Sequence, residues 1–327
     1  MADDLPSVTV LIAARPDQAE VKAREASLGL DYPRDRLEIV IARGRQPSAQ
    51  RNTGLRAARG EIIYFLDDDS VPLPSNLRRA ATHFADPQVK MVGGPNVCPP
   101  EAPELEQVFA LVLSSRLAFG PSRARYTPVG EARATSEKEL ILCNLAARRE
   151  ALLELGGFNE ALYPNEENAL MDELARRGGK LLYDPKFIVH RRPRQTLRAF
   201  CRMLMTYGRG RAEQFRVNPT PGSVLNFVPP AFLVYLLVLP VGLWRAGPIA
   251  AIPLVLYLLG LIVEAADIAR RATLSRALAA VPLVALTHIL YGAGFWRGLF
   301  TRLRAPGDMS RRQVVLERVQ CCAQNQL

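Results

Sequence analysis

Short apolar runs alternate with polar, helix-spaced stretches along the first part of the chain. Runs rich in aliphatic and β-branched residues occupy 7–13, 37–42 and 61–66, and none alternates strictly with polar residues. Such runs are typical of strands that are covered on both faces. The pattern predicts an α/β fold with a mostly parallel sheet and flanking helices, and it adds shorter strands near 90–95, 139–143 and 186–189.

Helices are predicted where apolar positions recur every three or four residues. The stretch 48–59 has the clearest ends, because Ser48 can cap its first turn and Gly60 follows its last. The segment 120–137 contains glycine, proline and serine and few apolar residues, so it is expected to be a surface flap. The other helices are expected near 18–28, 74–84, 105–118, 148–155 and 168–177.

Three stretches in the last third contain no Asp, Glu, Lys or Arg, and they lie at 217–244, 246–263 and 277–296. Each approaches or exceeds the roughly 20 residues that a membrane-spanning helix needs. The alternative for the basic segment before them, a helix packed on the first domain, stays open. We divide the chain into a cytoplasmic domain at 1–193, a basic amphipathic interfacial helix at 194–216, a membrane region of about three segments at 217–300 and a basic tail at 301–327.

The formal net charge of +10 has two interpretations. A basic surface attracts nucleic acid, but the arginines here cluster beside the apolar stretches, at 191–216 and 270–276. Cytoplasmic flanks of membrane helices carry such an excess, so we expect membrane lipids as partners and no nucleic acid. The five cysteines lack metal-like spacing and the first residues lack a signal-peptide pattern. Both observations favour a first domain in the reducing cytoplasm.

The side of the membrane that carries the tail is ambiguous. The arginines at 270–276 lie with the cytoplasmic domain if the first two stretches cross. Three crossings would export the tail, with Arg302, Arg304, Arg311 and Arg312, against the same rule. Either the tail is an exception, or one stretch is re-entrant or interfacial, and the third stretch is the candidate.

Asp67, Asp68 and Asp69 directly follow the apolar run at 61–66. Ligands of parallel sheets bind beyond the carboxyl ends of the strands. Three adjacent carboxylates repel one another unless a cation neutralises them, and Mg²⁺ or Mn²⁺ with phosphate oxygens is the usual solution. The alternative is a solvated acidic turn that caps the helix starting near Pro74.

Four blocks in a fixed order resemble glycosyltransferase family 2. They are the first strand, PSAQRNTGLRAARGEIIYFLDDDSVP at 47–72, CNLAARREALLELGGFNE at 143–160 and NEENALMDELARRGGKLLYDP at 165–185. The resemblance implies a GT-A fold, which is Rossmann-like, and inverting transfer from a nucleotide-diphosphate sugar. The C-terminal membrane stretches and YGRGRA at 207–212 further resemble bacterial membrane members of the exopolysaccharide and succinoglycan-synthesis type.

The resemblance also implies the donor and metal site. Asp67 to Asp69 match the DXD motif of the family, with Asp69 as the expected direct metal ligand and Asp67 beside it. Bound Mg²⁺ or Mn²⁺ would neutralise the leaving diphosphate. His190 matches a family position near the metal, and a structural histidine is the alternative. The expected donor-binding residues are Ala13, Arg15, Arg43, Arg51, Asn52, Asp67 and Asp68.

Glu166 and Glu167 stand where the family usually has Glu-Asp, and the second residue is implied to be the general base for the acceptor hydroxyl. Here that residue is Glu167, one methylene longer than aspartate. The alternative is that both carboxylates only favour the positive end of the following helix. We expect Gly93, Gly94 and Asn144 along the sugar or acceptor, with a simple tight turn as the alternative for the two glycines.

A second departure concerns the nucleotide. The family commonly has an acidic turn after the second strand that contacts the nucleobase, whereas this chain has ARGR at 42–45. The resemblance therefore selects no particular nucleotide.

The leading hypothesis is a multi-pass, metal-dependent glycosyltransferase of the hexosyltransferase type in the bacterial inner membrane. Its expected partners are a nucleotide-sugar donor, a polyprenyl-linked saccharide acceptor and a polysaccharide assembly complex. One alternative is a polyprenyl-phosphate sugar synthase, which needs no general base, and another is a non-catalytic GT-A-like subunit of such a complex. A processive synthase is disfavoured because the chain lacks QxxRW.

Overall fold

The computed structural model describes residues 5–160, 162, 165–217, 219, 221–303 and 313–320. Two compact units are built from non-contiguous parts of the chain. The first unit comprises 1–99, 124–191 and 305–327, and the second comprises 100–123 and 192–304. The chain therefore leaves the first unit twice and returns to it twice.

Two sheets lie in the first unit. In chain order, strands β1 to β11 are Val8–Ala14, Leu37–Arg43, Ile62–Asp67, Val71–Pro72, Val89–Gly93, Asn96–Val97, Arg133–Ala134, Asn144–Arg148, Lys180–Tyr183, Val189–His190 and Val315–Gln320. The larger sheet has eight strands in the order β11-β2-β1-β3-β8-β5-β9-β7. The smaller sheet has the order β4-β10-β6.

The larger sheet is mixed. β1 lies between β2 and β3 and is parallel to both, and its Ala13 is level with Asp67 at the end of β3. β8 is antiparallel to β3 and β5, whereas β9 is parallel to β5. The strand expected at 139–143 begins instead at Asn144, because Leu140 and Leu142 pack into the core from the turn that precedes it.

Eleven α-helices lie in the described residues. In chain order, α1 to α11 are Lys22–Leu28, Pro47–Ala57, Asn76–Phe84, Glu104–Leu113, Arg116–Phe119, Arg149–Glu154, Glu166–Arg176, Leu197–Val217, Val228–Ala246, Ile252–Arg271 and Leu274–Phe300. Short 3₁₀ helices occupy Arg34–Arg36, Gly120–Arg125, Pro221–Phe227 and Gly247–Ala251.

Both faces of the larger sheet are covered, which confirms the α/β architecture. Val10 and Ile12 of β1 belong to one buried cluster, and Leu11 between them belongs to the cluster on the other face. The apolar runs lack polar alternation because neither face meets water. The segment expected to be a flap instead contributes β7, which pairs antiparallel with β9 at the edge of the sheet.

The second unit contains the long C-terminal helices. The basic segment forms α8, whose Phe200 stacks on Phe109 of α4 at 4.3 Å between ring centroids. The three charge-free stretches become α9, α10 and α11. Among the described residues, two helical stretches qualify as candidate membrane spans by length and composition, Gly222–Arg271 and Leu274–Phe300.

The tail contains a strand that the sequence did not predict. β11 pairs antiparallel with β2, the outer strand of the parallel group, with Val315 level with Arg43. The guanidinium of Arg318 contacts the fully buried carboxylate of Glu38 on β2. The part of the tail at 304–312 and 321–327 lies outside the described residues.

Candidate active site

The aspartate triplet lies at the carboxyl end of β3, as expected from the apolar run before it. Asp67 is the last residue of β3, and its carbonyl accepts a hydrogen bond from the Ser70 amide at 3.1 Å, which closes a tight turn. The side chain of Asp67 is 25% exposed and that of Asp69 is 44% exposed. Two carboxylates are therefore available at the rim of the sheet.

Two arginines supply the positive charge that the triplet needs. Arg51 of α2 donates from Nη2 to Oδ1 of Asp67 at 3.1 Å. Arg191, which follows β10, places Nη1 at 3.2 Å from Oδ2 of Asp67 and contacts Asp69 through Nε. The guanidinium of Arg191 thus joins the first and third aspartates of the motif.

The middle aspartate points into a different environment. Burial raises the pKa of the Asp68 carboxyl, a hydrogen bond with the Gln18 side chain opposes that rise, and the charges of Asp69 and Asp67 reinforce it. The backbone carbonyl of Asp68 also accepts from the amide of Ala23 at 3.0 Å. Asp68 therefore ties the turn to α1, while its neighbours form the charged rim.

Arg51 connects the triplet to the second acidic pair. Its Nη1 lies 3.1 Å from Oε1 of Glu166, which is the first residue of α7 and only 3% exposed. Burial, followed by the charge of Glu167, raises the pKa of Glu166 to about 8, although Arg51 acts to lower it. The buried Oε2 of Glu166 has no hydrogen-bond partner in the described part of the chain. The chain of contacts runs Asp67, Arg51, Glu166.

Glu167 is the more accessible carboxylate of that pair. It lies in the first turn of α7, is half-buried, and accepts a 3.4 Å hydrogen bond from Nδ2 of Asn168. The preceding Asn165 has a left-handed backbone, with φ of 94°, which sets the direction in which the helix begins. The first turn of a helix favours carboxylates because its amide groups are free there.

The residues of the triplet fit a hard divalent cation. No group of three or more His, Cys, Asp or Glu side chains that could hold a metal ion occurs among the described residues. Mg²⁺ and Mn²⁺ nevertheless need only one or two carboxylates when phosphate oxygens complete the shell. Asp69 and Asp67 are the two carboxylates of the triplet that such an ion could use. Nδ1 of His190, in β10 of the smaller sheet, is buried without a hydrogen-bond partner in the described residues, as a side chain awaiting a ligand would be.

The expected donor residues at the ends of β1 and β2 lie close together. Arg43 donates from Nη1 to the carbonyl of Gln18 at 2.8 Å and to that of Arg15 at 3.4 Å. Its Nε also contacts Glu317 of β11 at 3.0 Å. Ala13 lies beside Asp67 in register, and the side chain of Arg15 is exposed. Arg43 thus organises this rim and is shared with the C-terminal strand.

Several other expected site residues make structural contacts. Nδ2 of Asn52 donates to the carbonyl of Phe158 at 2.9 Å and to the carboxylate of Glu160, and its Oδ1 accepts from the Phe158 amide at 2.8 Å. Asn144 is fully buried and donates to the carbonyls of Pro95 and Phe187. These two amides therefore hold loops of the site in place.

The two glycines at the end of β5, Gly93 in its last position and Gly94 directly after it, are packed tightly against other parts of the chain. A Cβ on Gly94 would overlap the carbonyl oxygens of Phe187 and Asp184, closer than van der Waals contact allows. A Cβ on Gly93 would press on Leu140 and on the carbonyl of Asn144, at 3.0 and 3.1 Å. Their immediate neighbours are the protein's own backbone and core.

Two residues of the site were missed by the sequence reasoning. Arg191 was assigned to the basic membrane flank, although its place directly after His190 in a strand pattern was a usable signal. Gln50 donates to the carbonyls of Ala14 and Ala42 at 2.7 and 2.6 Å, which joins the carboxyl ends of β1 and β2. No motif in the sequence pointed to that glutamine.

Comparison with known proteins agrees with this geometry. Residues 21–128 match the model of Glycosyl transferase family 2, and that segment contains α1, β2, α2, β3 and the aspartate triplet. This match supports a glycosyltransferase family 2 domain in that part of the chain. The match covers Arg51 and the aspartate triplet and ends before Glu166.

Two curated relatives are the pre-mycofactocin glycosyltransferases of Mycobacterium tuberculosis strains CDC 1551 / Oshkosh and ATCC 25618 / H37Rv. Each is 29% identical over 162 residues, which is 50% of this chain. The match spans only 33% of the length of either relative.

Among solved structures, the mannosyltransferase PcManGT of Pyrobaculum calidifontis, in complex with GDP-Man and Mn²⁺, superposes with a TM-score of 0.52. The superposition covers 91% of this chain and 88% of that one, at 20% identity. At that identity the likeness concerns the fold.

Proposed function

We propose that this chain is a membrane-bound inverting glycosyltransferase that takes its sugar from a nucleotide-diphosphate sugar. The observation that carries the proposal is the line of contacts from Asp67 through Arg51 to Glu166. It connects an acidic strand end suited to a metal and a diphosphate with an acidic helix start suited to an acceptor. The family 2 match over the first part of this line supports the same reaction class.

The donor side would use Asp69, with Asp67, to hold Mg²⁺ or Mn²⁺ against the diphosphate. When bound, the cation would stabilise the negative charge of the leaving nucleoside diphosphate without a proton transfer. The structure of PcManGT, which contains GDP-Man and Mn²⁺, is consistent with this class of donor and ion. When a diphosphate is bound, the guanidinium of Arg191 would leave Asp69 and bind the phosphate oxygens. Phosphate and carboxylate groups both accept paired hydrogen bonds from a guanidinium.

The acceptor side would use Glu167 as general base. Glu167 is half-buried and makes no ion pair with an arginine among the described residues, so it is better suited to take a proton than Glu166, which is buried against Arg51. In a single displacement, the acceptor oxygen forms a bond to the anomeric carbon and passes its proton to Glu167. The bond from that carbon to the diphosphate breaks, and its electron pair leaves with the diphosphate. One displacement inverts the anomeric centre.

The acceptor is proposed to be a polyprenyl-linked saccharide at the inner membrane, in the synthesis of a cell-surface polysaccharide. Support comes from the long charge-free helices and from the arginines of α8, which suit an anionic lipid surface. Membrane lipids and a polysaccharide assembly complex are the partners that this role implies.

The test is donor binding by titration calorimetry on detergent-purified protein, with a panel of nucleotide sugars, with and without Mn²⁺. Wild-type protein should bind one donor with metal-dependent affinity. The variant Asp69→Asn should lose at least tenfold in affinity, because a direct carboxylate ligand is removed. Asp31→Asn, another exposed aspartate paired with an arginine, is the matched control and should bind normally. Equal binding by Asp69→Asn would refute the metal assignment.

A further inference from the structure

The two ends of the membrane region are tied to a single sheet. The chain before it supplies seven of the eight strands of the larger sheet, and the chain after it supplies the eighth, β11. β11 is hydrogen-bonded to β2, and Arg318 contacts the buried Glu38. Both ends of the region must therefore lie on the same side of any membrane that it enters.

Helices α9 and α10 form an antiparallel hairpin within the second unit. The ring of Phe232 packs on that of Tyr257 of α10 at 4.5 Å between centroids, and three residues further along α9 the hydroxyl of Tyr235 accepts from the amide of Leu254 of α10 at 3.1 Å. Partners earlier in α9 thus lie later in α10. The two helices must cross a membrane together or not at all, because they turn back on each other.

The hairpin has the length and surface of two spans. The 19 residues of α9 extend about 28 Å, and the return leg, from the 3₁₀ turn at Gly247–Ala251 through residue 263, extends a similar distance. The hydrocarbon core of a bilayer is about 30 Å thick. Large apolar side chains along both legs are exposed, including Leu237, Val241, Trp244, Ile252, Leu256 and Leu259.

From these facts we infer that the chain crosses the bilayer exactly twice, through the α9–α10 hairpin, and that α11 does not cross it. The hairpin contributes two crossings or none, and α11 contributes one or none. A total that returns the chain to β2 must be even, so α11 contributes none. The exposed faces of the hairpin supply the contact with lipid. The inference rests on the membrane location in the proposed function.

Helix α11 packs closely against the arginine-rich helix α8. Gly294 and Gly298 lie directly against the backbone of Met205 and Arg209 in α8, so these two helices touch along their lengths. Arg216 of α8 also donates to the carbonyl of Gly298 at 3.1 Å. A spanning α11 would draw this arginine-rich helix into the bilayer interior, where each charge is costly.

Two crossings also account for the arginines. The loop at the tip of the hairpin contains only Arg245, whereas Arg270, Arg271 and Arg276 lie at the other end. With α11 on that side, the arginines of the tail stay with them. All the clustered arginines then face the cytoplasm, as the positive-inside rule requires. If the third apolar stretch does not cross, the arginines of the tail no longer disagree with the positive-inside rule.

The test is cysteine labelling with a membrane-impermeant maleimide in right-side-out and inverted membrane vesicles. The background carries serine at Cys98, Cys201, Cys321 and Cys322 and keeps the buried Cys143. Single cysteines then mark the first unit (Glu25→Cys), the hairpin tip (Ala246→Cys or Ile249→Cys), the end of α10 (Arg270→Cys) and the end of α11 (Arg302→Cys). Each of these positions is exposed.

Right-side-out vesicles should label the tip at least tenfold more than the other three positions, and inverted vesicles should give the reverse. Labelling of Arg302→Cys from the same side as the tip would overturn the inference, because it means an odd number of crossings. Labelling of the tip from the same side as Glu25→Cys would also overturn it. Release of the wild-type protein by alkaline carbonate would instead refute the membrane location on which the inference rests.

Discussion

The contact between Arg318 and Glu38 gives a direct stability test of the C-terminal strand. Glu38 is fully buried on β2, and its Oε2 accepts from the Thr9 hydroxyl at 2.6 Å and from the Arg59 amide at 2.9 Å. Its Oε1 faces the guanidinium of Arg318. The substitution Arg318→Ala removes the cation and leaves a buried carboxylate with neutral donors only.

The cost follows from the burial of the two partners. Removing one partner of a fully buried ion pair costs about 3–5 kcal/mol. The Arg318 side chain is 30% exposed, so part of the pair is solvated and we expect about 2–3 kcal/mol. In a domain of this size, 1 kcal/mol shifts the melting temperature by about 2–4 °C. The expected loss is therefore about 4–12 °C.

The assay is thermal unfolding of the detergent-purified protein. Arg24→Ala is the matched control, because Arg24 is an exposed arginine in a surface pair with Glu25 and should shift the melting temperature by less than about 2 °C. Adding Glu38→Gln to Arg318→Ala should recover part of the loss, because the uncompensated charge is gone. Equal melting temperatures for Arg318→Ala and Arg24→Ala would refute the docking of β11, and with it the argument for an even number of crossings.

Three further predictions concern the site. Burial raises the pKa of Glu166 to about 8, so the folded protein keeps a proton that the unfolded chain loses above about pH 5. The free energy of unfolding of the wild-type protein should therefore fall as the pH rises from about 5 to about 8. Glu166→Gln should remove that slope, as measured by thermal unfolding in chelator at several pH values; an unchanged slope would contradict the shift. Glu167→Gln should lower turnover by about 100-fold or more with donor affinity unchanged, and full turnover would favour a lipid-phosphate acceptor. Gly94→Ala should cost about 3 kcal/mol of unfolding free energy, because its Cβ overlaps the Phe187 carbonyl, and a normal melting temperature would contradict that packing.

The sequence predicted the first three strands and the position of the aspartate triplet correctly. β1, β2 and β3 are buried on both faces, so their apolar runs mark them without ambiguity. The aspartates were placed correctly at a strand end, because they directly follow the buried apolar run of β3. The helix expected from about residue 18 begins only at Lys22, because Pro16 and Asp17 form a turn.

The remaining errors involve contacts between distant parts of the chain. β11 is short and contains Glu317 and Arg318, so nothing in its own pattern indicated a strand, and only its pairing with β2 creates one. Arg191 faces aspartates 122 and 124 residues away, which no local pattern reports. The third apolar stretch fits burial against α8 and burial in lipid equally, because both select the same apolar residues.

The proposed function is best tested by measuring the transfer of a sugar from a nucleotide-sugar donor to a lipid-linked acceptor. Purified protein in lipid is incubated with a panel of nucleotide sugars, Mn²⁺ or Mg²⁺ and polyprenyl-linked saccharides, and the nucleoside diphosphate released and the sugar gained by the lipid are both measured. We expect equal amounts of the two products with one donor, the opposite anomeric configuration in the product, and loss of both products in Asp69→Asn and Glu167→Gln. Donor binding without transfer to any acceptor, or a product that retains the anomeric configuration, would contradict it.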